Sequence, residues 1–111
     1  GVDINRILLD PGFGFAKETT EENLHLMARL DELHVFGRPL LVGVSRKRFI
    51  GSVTGQEAPV ARDAGTASAN VIMRLQGAGV FRVHDVATNV DALTVADAMI
   101  EHGLTIKGQE R

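Results

Sequence analysis

The chain has 111 residues, of which 44% are hydrophobic and 23% charged, with a formal net charge of −2 and no cysteine. These values predict one globular domain with a buried core and exclude a disulfide framework. Basic and acidic residues are interleaved and no long apolar run occurs, so we expect no nucleic-acid partner and no membrane span. The absence of cysteine fits a reducing compartment, and we expect a cytoplasmic location.

The first predicted elements are a short strand and a helix. Residues 6–10 form an apolar run that a Pro-Gly turn ends, which is typical of a strand. Thr19 and Glu22 have the spacing of a capping box, in which each side chain bonds the other residue's backbone amide. Apolar residues at helical spacing follow, and Gly37 indicates the end of this helix.

A second strand and helix are predicted next. Residues 39–44 form a near-continuous apolar run, which favours a strand covered on both faces, as in a parallel sheet. A loop is predicted from Ser45 to about Ala58. Pro59 suits the first position of a helix that continues to about Gln76, where Gly77 stops it.

The third pair consists of a strand over residues 79–85 and a helix that Thr88 and Asp91 open and Gly103 follows. The polar tail, 104–111, is expected to fray. Three strand–helix pairs predict an α/β fold with parallel strands joined by right-handed crossovers. Three units in 111 residues take about 37 residues each, close to the roughly 31 of a (β/α)8 barrel. A doubly wound sheet is the alternative, and periodicity does not choose between them.

Unusual polar residues follow each predicted strand. Asp10 ends the first strand, Lys47 follows the second, and Arg82, His84 and Asp85 end the third. Ligands of parallel α/β folds bind at the carboxyl ends of the strands. We therefore expect these side chains to form one site.

The segment Asp10–Phe15 combines glycines with two Phe residues. Its aspartate can accept two N–H bonds from a guanidine-like ring edge, and its rings can stack on a flat heterocycle. The alternative is a helix-capping aspartate with core Phe residues. The segment is not a dinucleotide fingerprint, because the third glycine of that motif is missing.

Three cations stand in Ser45–Arg48, and Lys47 among them can reach across the mouth of a barrel; the alternative is a solvated basic turn. Arg82 and His84 are two apart in the predicted strand and point to the same side. Such a pair suits an anion, because arginine offers a bidentate fork and histidine a further donor. The alternative is a salt-bridged core arginine beside a satisfied histidine.

The remaining candidates are interpreted more simply. Arg62 is in the first turn of the second helix, where a cation opposes the helix dipole. We interpret it as a surface residue, and a nearby anion is the alternative. Asp85 is left open between a helix cap and a partner for a base. The other histidines read as surface residues: His25, His34 and His102.

Three segments together, 8–17, 41–47 and 82–86, resemble the dihydropteroate synthases in sequence, order and spacing, and the match runs from about Asn5 to Ala98. The resemblance implies a TIM barrel, the (β/α)8 fold, to which this chain contributes strands six to eight as the C-terminal part of a pterin-binding domain, over 1–111. It also implies an enzyme that joins 4-aminobenzoate to 6-hydroxymethyl-7,8-dihydropterin diphosphate and releases diphosphate, with Mg²⁺.

The resemblance assigns pterin roles to four residues. Asp10 would hold the pterin edge, while Phe15 and Gly43 would line its pocket. Lys47 would donate to the pterin and help to form the aminobenzoate pocket. Two positions depart from the family: Ala16 replaces a common glycine, and Arg48 stands where many members have a small polar residue.

The resemblance also implies that Arg82 and His84 bind the leaving diphosphate and, with Lys47, form the catalytic set. It places the magnesium ligands outside this chain, so no metal ligand is expected here. The isolated chain is expected to be inactive and to form a homodimer or a higher oligomer. Two other hypotheses stay open: a non-catalytic partial barrel that oligomerises, and another pterin-binding barrel enzyme such as a methyltetrahydrofolate methyltransferase, whose reaction releases no diphosphate.

Overall fold

The structure is a computed structural model that describes residues 7–13 and 19–106. Over these residues helices and strands follow one another largely as predicted, but two α-helices instead of one separate the two strands. In chain order they are α1 (Thr20–Ala28), a 3-10 helix (Leu30–Phe36), β1 (Leu40–Val42), α2 (Arg48–Thr54), a 3-10 helix (Pro59–Arg62), α3 (Asp63–Leu75), β2 (Ala78–Phe81) and α4 (Val86–Glu101). Of the tail expected to fray, residues 104–106 are neither helix nor strand, and the rest lies outside the described residues.

The strands are parallel and adjacent, in the order of the sequence. β1 pairs with β2, and a register shift follows Leu40. The predicted first strand is reduced to one parallel bridge, between Leu9 and Leu40. The Leu9 amide donates to the carbonyl of Pro39 at 2.9 Å, and its carbonyl accepts from the Leu41 amide at 2.8 Å. The predicted parallel order is therefore confirmed.

Both strands of the sheet end earlier than their apolar runs. Pairing finishes with the Arg82 amide, which donates to the carbonyl of Val42 at 2.9 Å. Beyond Val42 the chain enters the turn at Ser45–Arg46 that leads into α2, so it leaves the ladder before Val44. Arg82 and His84 consequently follow β2 rather than lie within it, which corrects the predicted strand over 79–85.

The first helix begins as the capping pattern predicts. The hydroxyl of Thr19 accepts from the Glu22 amide at 3.1 Å. After Ala28 the α-helix gives way to the 3-10 helix, which ends at Gly37 in the left-handed region, with φ +64°. Glycine adopts this conformation without steric cost, so Gly37 ends the helix as expected.

The predicted loop from Ser45 to Ala58 is wrong, because α2 occupies its middle, Arg48–Thr54. Phe49 and Ile50 of α2 are buried, and Gly55 ends the helix with φ +77°. Gly51 lies inside this helix, where a glycine weakens the sequence signal for helix. Burial of the two apolar side chains outweighs that weak propensity.

The last helix begins two residues before the predicted position. Asp85 is the N-cap of α4: one of its carboxylate oxygens accepts from the Thr88 amide at 3.1 Å and the other from the Thr88 hydroxyl at 2.6 Å. Thr88 is therefore the partner of the cap and not the cap itself. This settles the open role of Asp85.

The core lies between the sheet and the helices that cover it. Its buried apolar side chains are Phe13, Leu30, Leu40, Val42, Val44, Phe49, Ile50, Ala69, Met73 and Ala78. Beside it, buried Asn70 donates to buried Asn89 at 2.8 Å and ties α3 to α4. The sheet and the helices that flank it therefore share one apolar core.

Candidate functional site

Asp10 and Arg82 meet at the carboxyl ends of the first and third parallel segments. Nη2 of Arg82 donates to Oδ2 of Asp10 at 2.8 Å, and Oδ1 of Asp10 accepts from the Gly12 amide at 2.9 Å. The side chain of Arg82 is 68% exposed and that of Asp10 is 42% exposed. Exposed pairs of this kind contribute only about 0–1 kcal/mol, so a ligand can separate them at little cost.

Gly43, directly after β1, leaves room for the guanidinium of Arg82. A Cβ at Gly43 would lie 3.4 Å from Nε and 3.5 Å from Nη2 of Arg82. The guanidinium therefore lies close against the backbone at the end of β1. A Cβ at position 43 would therefore be in van der Waals contact with the guanidinium.

Lys47 links the second strand end to the first. It is the N-cap of α2, and its Nζ donates to the carbonyl of Phe13. Phe13 is itself buried in the core. The ammonium group is thereby held near the carboxyl ends of both segments.

Ser45 and His84 join the second and third strand ends. The Ser45 hydroxyl accepts from the His84 amide at 3.0 Å and lies 2.7 Å from Nδ1 of the same residue. Ser45 is buried, at 8% exposure, whereas His84 is exposed. The serine thus contacts both the backbone and the ring of His84.

A cavity of about 160 Å³ lies among these residues. Its lining is Gly43, Ser45, Lys47, Arg82, Val83 and His84. Two cationic side chains and an imidazole are the donors that an anion requires. The volume is below the roughly 300–1,000 Å³ of small-molecule sites, so the cavity suits a phosphoryl-sized group rather than a whole substrate.

Arg46 fixes the turn that carries Ser45 and Lys47. Its φ is +58°, in the left-handed region that residues other than glycine adopt infrequently. Its amide donates to the buried Thr66 hydroxyl at 3.1 Å, and its guanidinium donates to both oxygens of Asp63, at 2.9 and 3.0 Å. Both residues that bond Arg46, Asp63 and Thr66, lie in α3.

Arg62 is not a free surface residue, which corrects its sequence interpretation. Its guanidinium donates to three backbone carbonyls: to Arg46 at 2.9 Å, to Gln56 at 2.9 Å and to Glu57 at 2.6 Å. It also packs on Gly51, where a Cβ would lie 2.5 Å from Nε. Arg62 therefore connects the turn before α2 to the segment that follows α2.

Two ionisable groups beside the cavity have shifted pKa values. The hydrogen bonds from Thr88, first the hydroxyl and then the amide, lower the pKa of Asp85 below its usual range. The hydrogen bond to Asp63 raises the pKa of Arg46 above its usual value. Both charges are thus favoured by contacts that hold the site's framework.

The structure brings together most of the residues that the sequence singles out. Gly43, Lys47, Arg82 and His84 line one cavity, and Asp10 joins them through Arg82. Phe15 lies outside the described residues, as does Ala16. Arg48 is exposed at the start of α2.

The histidines interpreted as surface residues differ from one another. His25 and His102 are exposed. His34 is half-buried instead, with Nε2 2.9 Å from the carbonyl of Gln76. Because a carbonyl only accepts, Nε2 of His34 carries a hydrogen.

Sequence reasoning missed the support behind the site. The sequence pattern assigns no role in the site to Ser45, Arg46, Asp63 or Thr66. The one available signal is that Asp63 and Thr66 are three apart, which places them on the same face of a helix. That face is the one that receives the turn.

The described residues also bear on metals and membranes. Within 7–13 and 19–106, no group of three or more His, Asp or Glu side chains is arranged to hold a metal ion. None of the helices in the same ranges has the length and apolarity that crossing a bilayer requires.

Comparison with protein families finds that residues 1–84 match the family model described as pterin binding enzyme. Dihydropteroate synthase of Escherichia coli strain K12 is 45% identical over 100 residues, which cover 90% of this chain and 35% of that protein. The Mycobacterium leprae dihydropteroate synthase is 42% identical over 112 residues, covering 96% and 39%. The chain spans about a third of the length of the curated relatives that it matches.

Solved structures give the same result. Dihydropteroate synthase from Xanthomonas albilineans in complex with 7,8-dihydropteroate is similar with a TM-score of 0.87 and 49% identity, over 90% of this chain and 38% of that one. The Yersinia pestis dihydropteroate synthase has a TM-score of 0.86 and 42% identity, over 91% and 47%. The parallel α/β arrangement described above is therefore shared with part of those structures.

Proposed function

This chain belongs to the pterin binding enzyme family, and from that membership we propose that it forms the C-terminal part of a dihydropteroate synthase, contributing strands six to eight of a (β/α)8 barrel. The proposed reaction joins 6-hydroxymethyl-7,8-dihydropterin diphosphate to 4-aminobenzoate. One observation carries the proposal: Lys47, Arg82 and His84 surround one cavity at the carboxyl ends of parallel segments. In α/β barrels the catalytic groups stand at that end.

In the proposed reaction the amine nitrogen forms a bond to the pterin's exocyclic methylene carbon. The bond from that carbon to the diphosphate oxygen breaks, and its electron pair leaves with the diphosphate, while the amine gives up a proton. Negative charge grows on the departing oxygen. Preorganised donors aimed at that charge lower the barrier, and Arg82 and His84 are the proposed donors.

The pterin is proposed to bind between Asp10 and Lys47. The Asp10 carboxylate, which accepts from Arg82 in this structure, would accept from the pterin's amino and ring N–H groups instead. Once Asp10 binds the pterin, the guanidinium of Arg82 would be available to donate to the diphosphate. Phe15 and Gly43 are proposed to line the pterin pocket, and Lys47 to contact both pterin and 4-aminobenzoate.

Magnesium stays a proposal that the resemblance alone supports. The described residues hold no cluster that fits a metal ion, and the ligands of magnesium are proposed to lie on segments outside this chain. We also propose a cytoplasmic location and a homodimer or higher oligomer, on the same resemblance.

The direct test is turnover by the complete polypeptide that carries this sequence. We expect it to form 7,8-dihydropteroate from the two substrates, and Arg82→Ala to lower the rate because a donor to the leaving group is lost. Arg29→Ala is the matched control, since the side chain of that arginine forms an exposed pair with Glu32. A complete polypeptide that folds, binds neither substrate and forms no product would refute the proposal.

The isolated 111-residue chain is expected to be inactive, because its cavity accommodates only part of the proposed substrates. A verified preparation of this length with turnover near that of the complete polypeptide would contradict this. A methyltransferase is distinguished by its product, since methyl transfer releases no diphosphate.

A further inference from the structure

The hydroxyl of Ser45 contacts both the backbone and the ring of His84, and this pair of contacts bears on the protonation of the ring nitrogens. The hydroxyl of Ser45, a residue that is 8% exposed, is hydrogen-bonded to two atoms of the same histidine. The His84 amide is 3.0 Å away and Nδ1 is 2.7 Å away. A buried hydroxyl has little water to turn to, so these two contacts decide where its proton goes.

Counting protons identifies the donor in each contact. A serine hydroxyl has one hydrogen and two lone pairs, and a backbone amide only donates. The His84 amide therefore takes one lone pair of Oγ. Within 7–13 and 19–106 the hydroxyl has a second hydrogen-bond partner in Nδ1 and no third, so the arrangement that also uses its own hydrogen within this part of the chain is the one in which Oγ donates to Nδ1.

The accepting role of Nδ1 determines the other side of the ring. A neutral imidazole carries one hydrogen, and when Nδ1 accepts, that hydrogen is on Nε2. Nε2 lies across the ring from Ser45 and has no hydrogen-bond partner among the described residues. The imidazolium carries a hydrogen on Nε2 as well, so this nitrogen is a donor in both protonation states.

We propose that Ser45 is a positioning residue that holds His84 in the tautomer with the hydrogen on Nε2, so that this N–H points to an anionic phosphoryl group in the cavity shared with Lys47 and Arg82. The identification of that anion as the leaving diphosphate rests on the proposed function. The tautomer assignment does not, because it follows from Ser45 and His84 alone.

The first test observes the ring nitrogens by NMR in the complete polypeptide labelled with ¹⁵N-histidine. It is run near pH 8.5, about two units above the usual histidine pKa of about 6.5, and His84→Gln assigns the signals. We expect one protonated-type nitrogen, Nε2, and one unprotonated-type nitrogen, Nδ1. A hydrogen found on Nδ1 in the unsubstituted protein overturns the inference without any Ser45 variant.

The same measurement on Ser45→Ala should show the two nitrogen shifts moving towards each other, because the ring then exchanges between tautomers. Ser45→Thr keeps the hydroxyl and should restore the separation. Unchanged shifts in Ser45→Ala would mean that the serine does not hold the ring, and the inference would fail.

The second test titrates inorganic diphosphate at the same pH. Loss of one oriented donor should weaken binding by about five- to tenfold in Ser45→Ala, with recovery in Ser45→Thr. Ser68→Ala, which removes an exposed hydroxyl from α3, should bind as the parent does. Equal affinities of Ser45→Ala and the parent overturn the inference, whereas a parent that binds no diphosphate counts against the proposed function and leaves the tautomer assignment standing.

Discussion

Gly77 joins α3 to β2 at a point where there is no space for a side chain. Its φ is +101°, and an added Cβ would lie 1.9 Å from Nε2 of His34. That nitrogen bonds the carbonyl of Gln76, so the ring cannot move away without losing its hydrogen bond. Gly37 also has a positive φ, of +64°, but nothing lies within 4 Å of its added Cβ.

These two glycines give a matched pair for a stability measurement. Both alanine variants carry the cost of a side chain at positive φ, and only Gly77→Ala adds the collision with His34. We expect Gly77→Ala to lower the free energy of unfolding by about 1–3 kcal/mol more than Gly37→Ala. Chemical denaturation of both variants measures the difference, and equal values would show that His34 does not resist the added atom.

Arg82 carries the prediction for the anion site. Arg82→Ala removes a charged fork from the cavity and is expected to weaken diphosphate binding by on the order of 1.5–3 kcal/mol. Isothermal titration of the complete polypeptide with diphosphate checks this, with Arg29→Ala as the control. Unchanged affinity in Arg82→Ala would remove Arg82 from the site.

At the scale of residues, the sequence predicts the groups that face the cavity but not those that hold them. Asp10, Lys47 and Arg82 stand out because polar residues directly after apolar strands are unusual. The anchors of Arg46 come from Asp63 and Thr66, which are 17 and 20 positions away. Which side chains meet over such separations depends on the packing of α3, which no local pattern reports.

Among the elements, α4 depends on a charged cap. The pKa of Asp85 is lowered by its bonds from Thr88, so the folded state binds a proton less readily than the unfolded chain. A depressed carboxyl pKa contributes stability that is present above the unfolded value, about pH 4, and is lost as the pH falls through the folded value.

Asp85→Asn keeps an N-cap oxygen but cannot titrate. We expect the parent protein to lose more stability than Asp85→Asn between about pH 5 and pH 2. Thermal unfolding followed by circular dichroism across that range compares the two profiles. Parallel profiles would show that the cap carboxylate does not contribute to the acid sensitivity of the fold.

The elements also show where patterns mislead. Alternating apolar and amphipathic stretches give the parallel order correctly, because each unit must bury its own apolar face. They fail at α2, where Gly51 inside the helix resembles a break. They overextend the strands, since apolar side chains stay buried after backbone pairing has ended, as Val44 does.

The molecule as a whole leaves large apolar side chains exposed. Leu8 is 48% exposed, Val80 38% and Val90 53%. A groove of about 470 Å³ runs between β2 and α4, lined by Phe81, Arg82, Val83, Val86, Asn89, Val90 and Leu93. Apolar surface in water is unfavourable by about 25 cal/mol per Å², and unpaired strand edges attract partners.

We therefore expect the isolated chain to form a dimer or a higher oligomer. Sedimentation at micromolar concentration measures this, and Val90→Glu should shift the distribution towards monomer because it places a charge in the groove. Val35→Glu, at a position that is 82% exposed and not part of the groove lining, is the control. A compact, strictly monomeric parent would contradict the expectation.

The anchoring of Arg46 has a consequence for protein engineering. The turn at Ser45–Arg46 owes its shape to Arg62, Asp63 and Thr66, so it is not a self-contained cassette. Grafting residues 45–47 alone onto another barrel would carry over the donor groups without the framework that aims them. The smallest transplantable unit runs from β1 through the first turn of α3, and shuffled libraries should place their crossovers outside it.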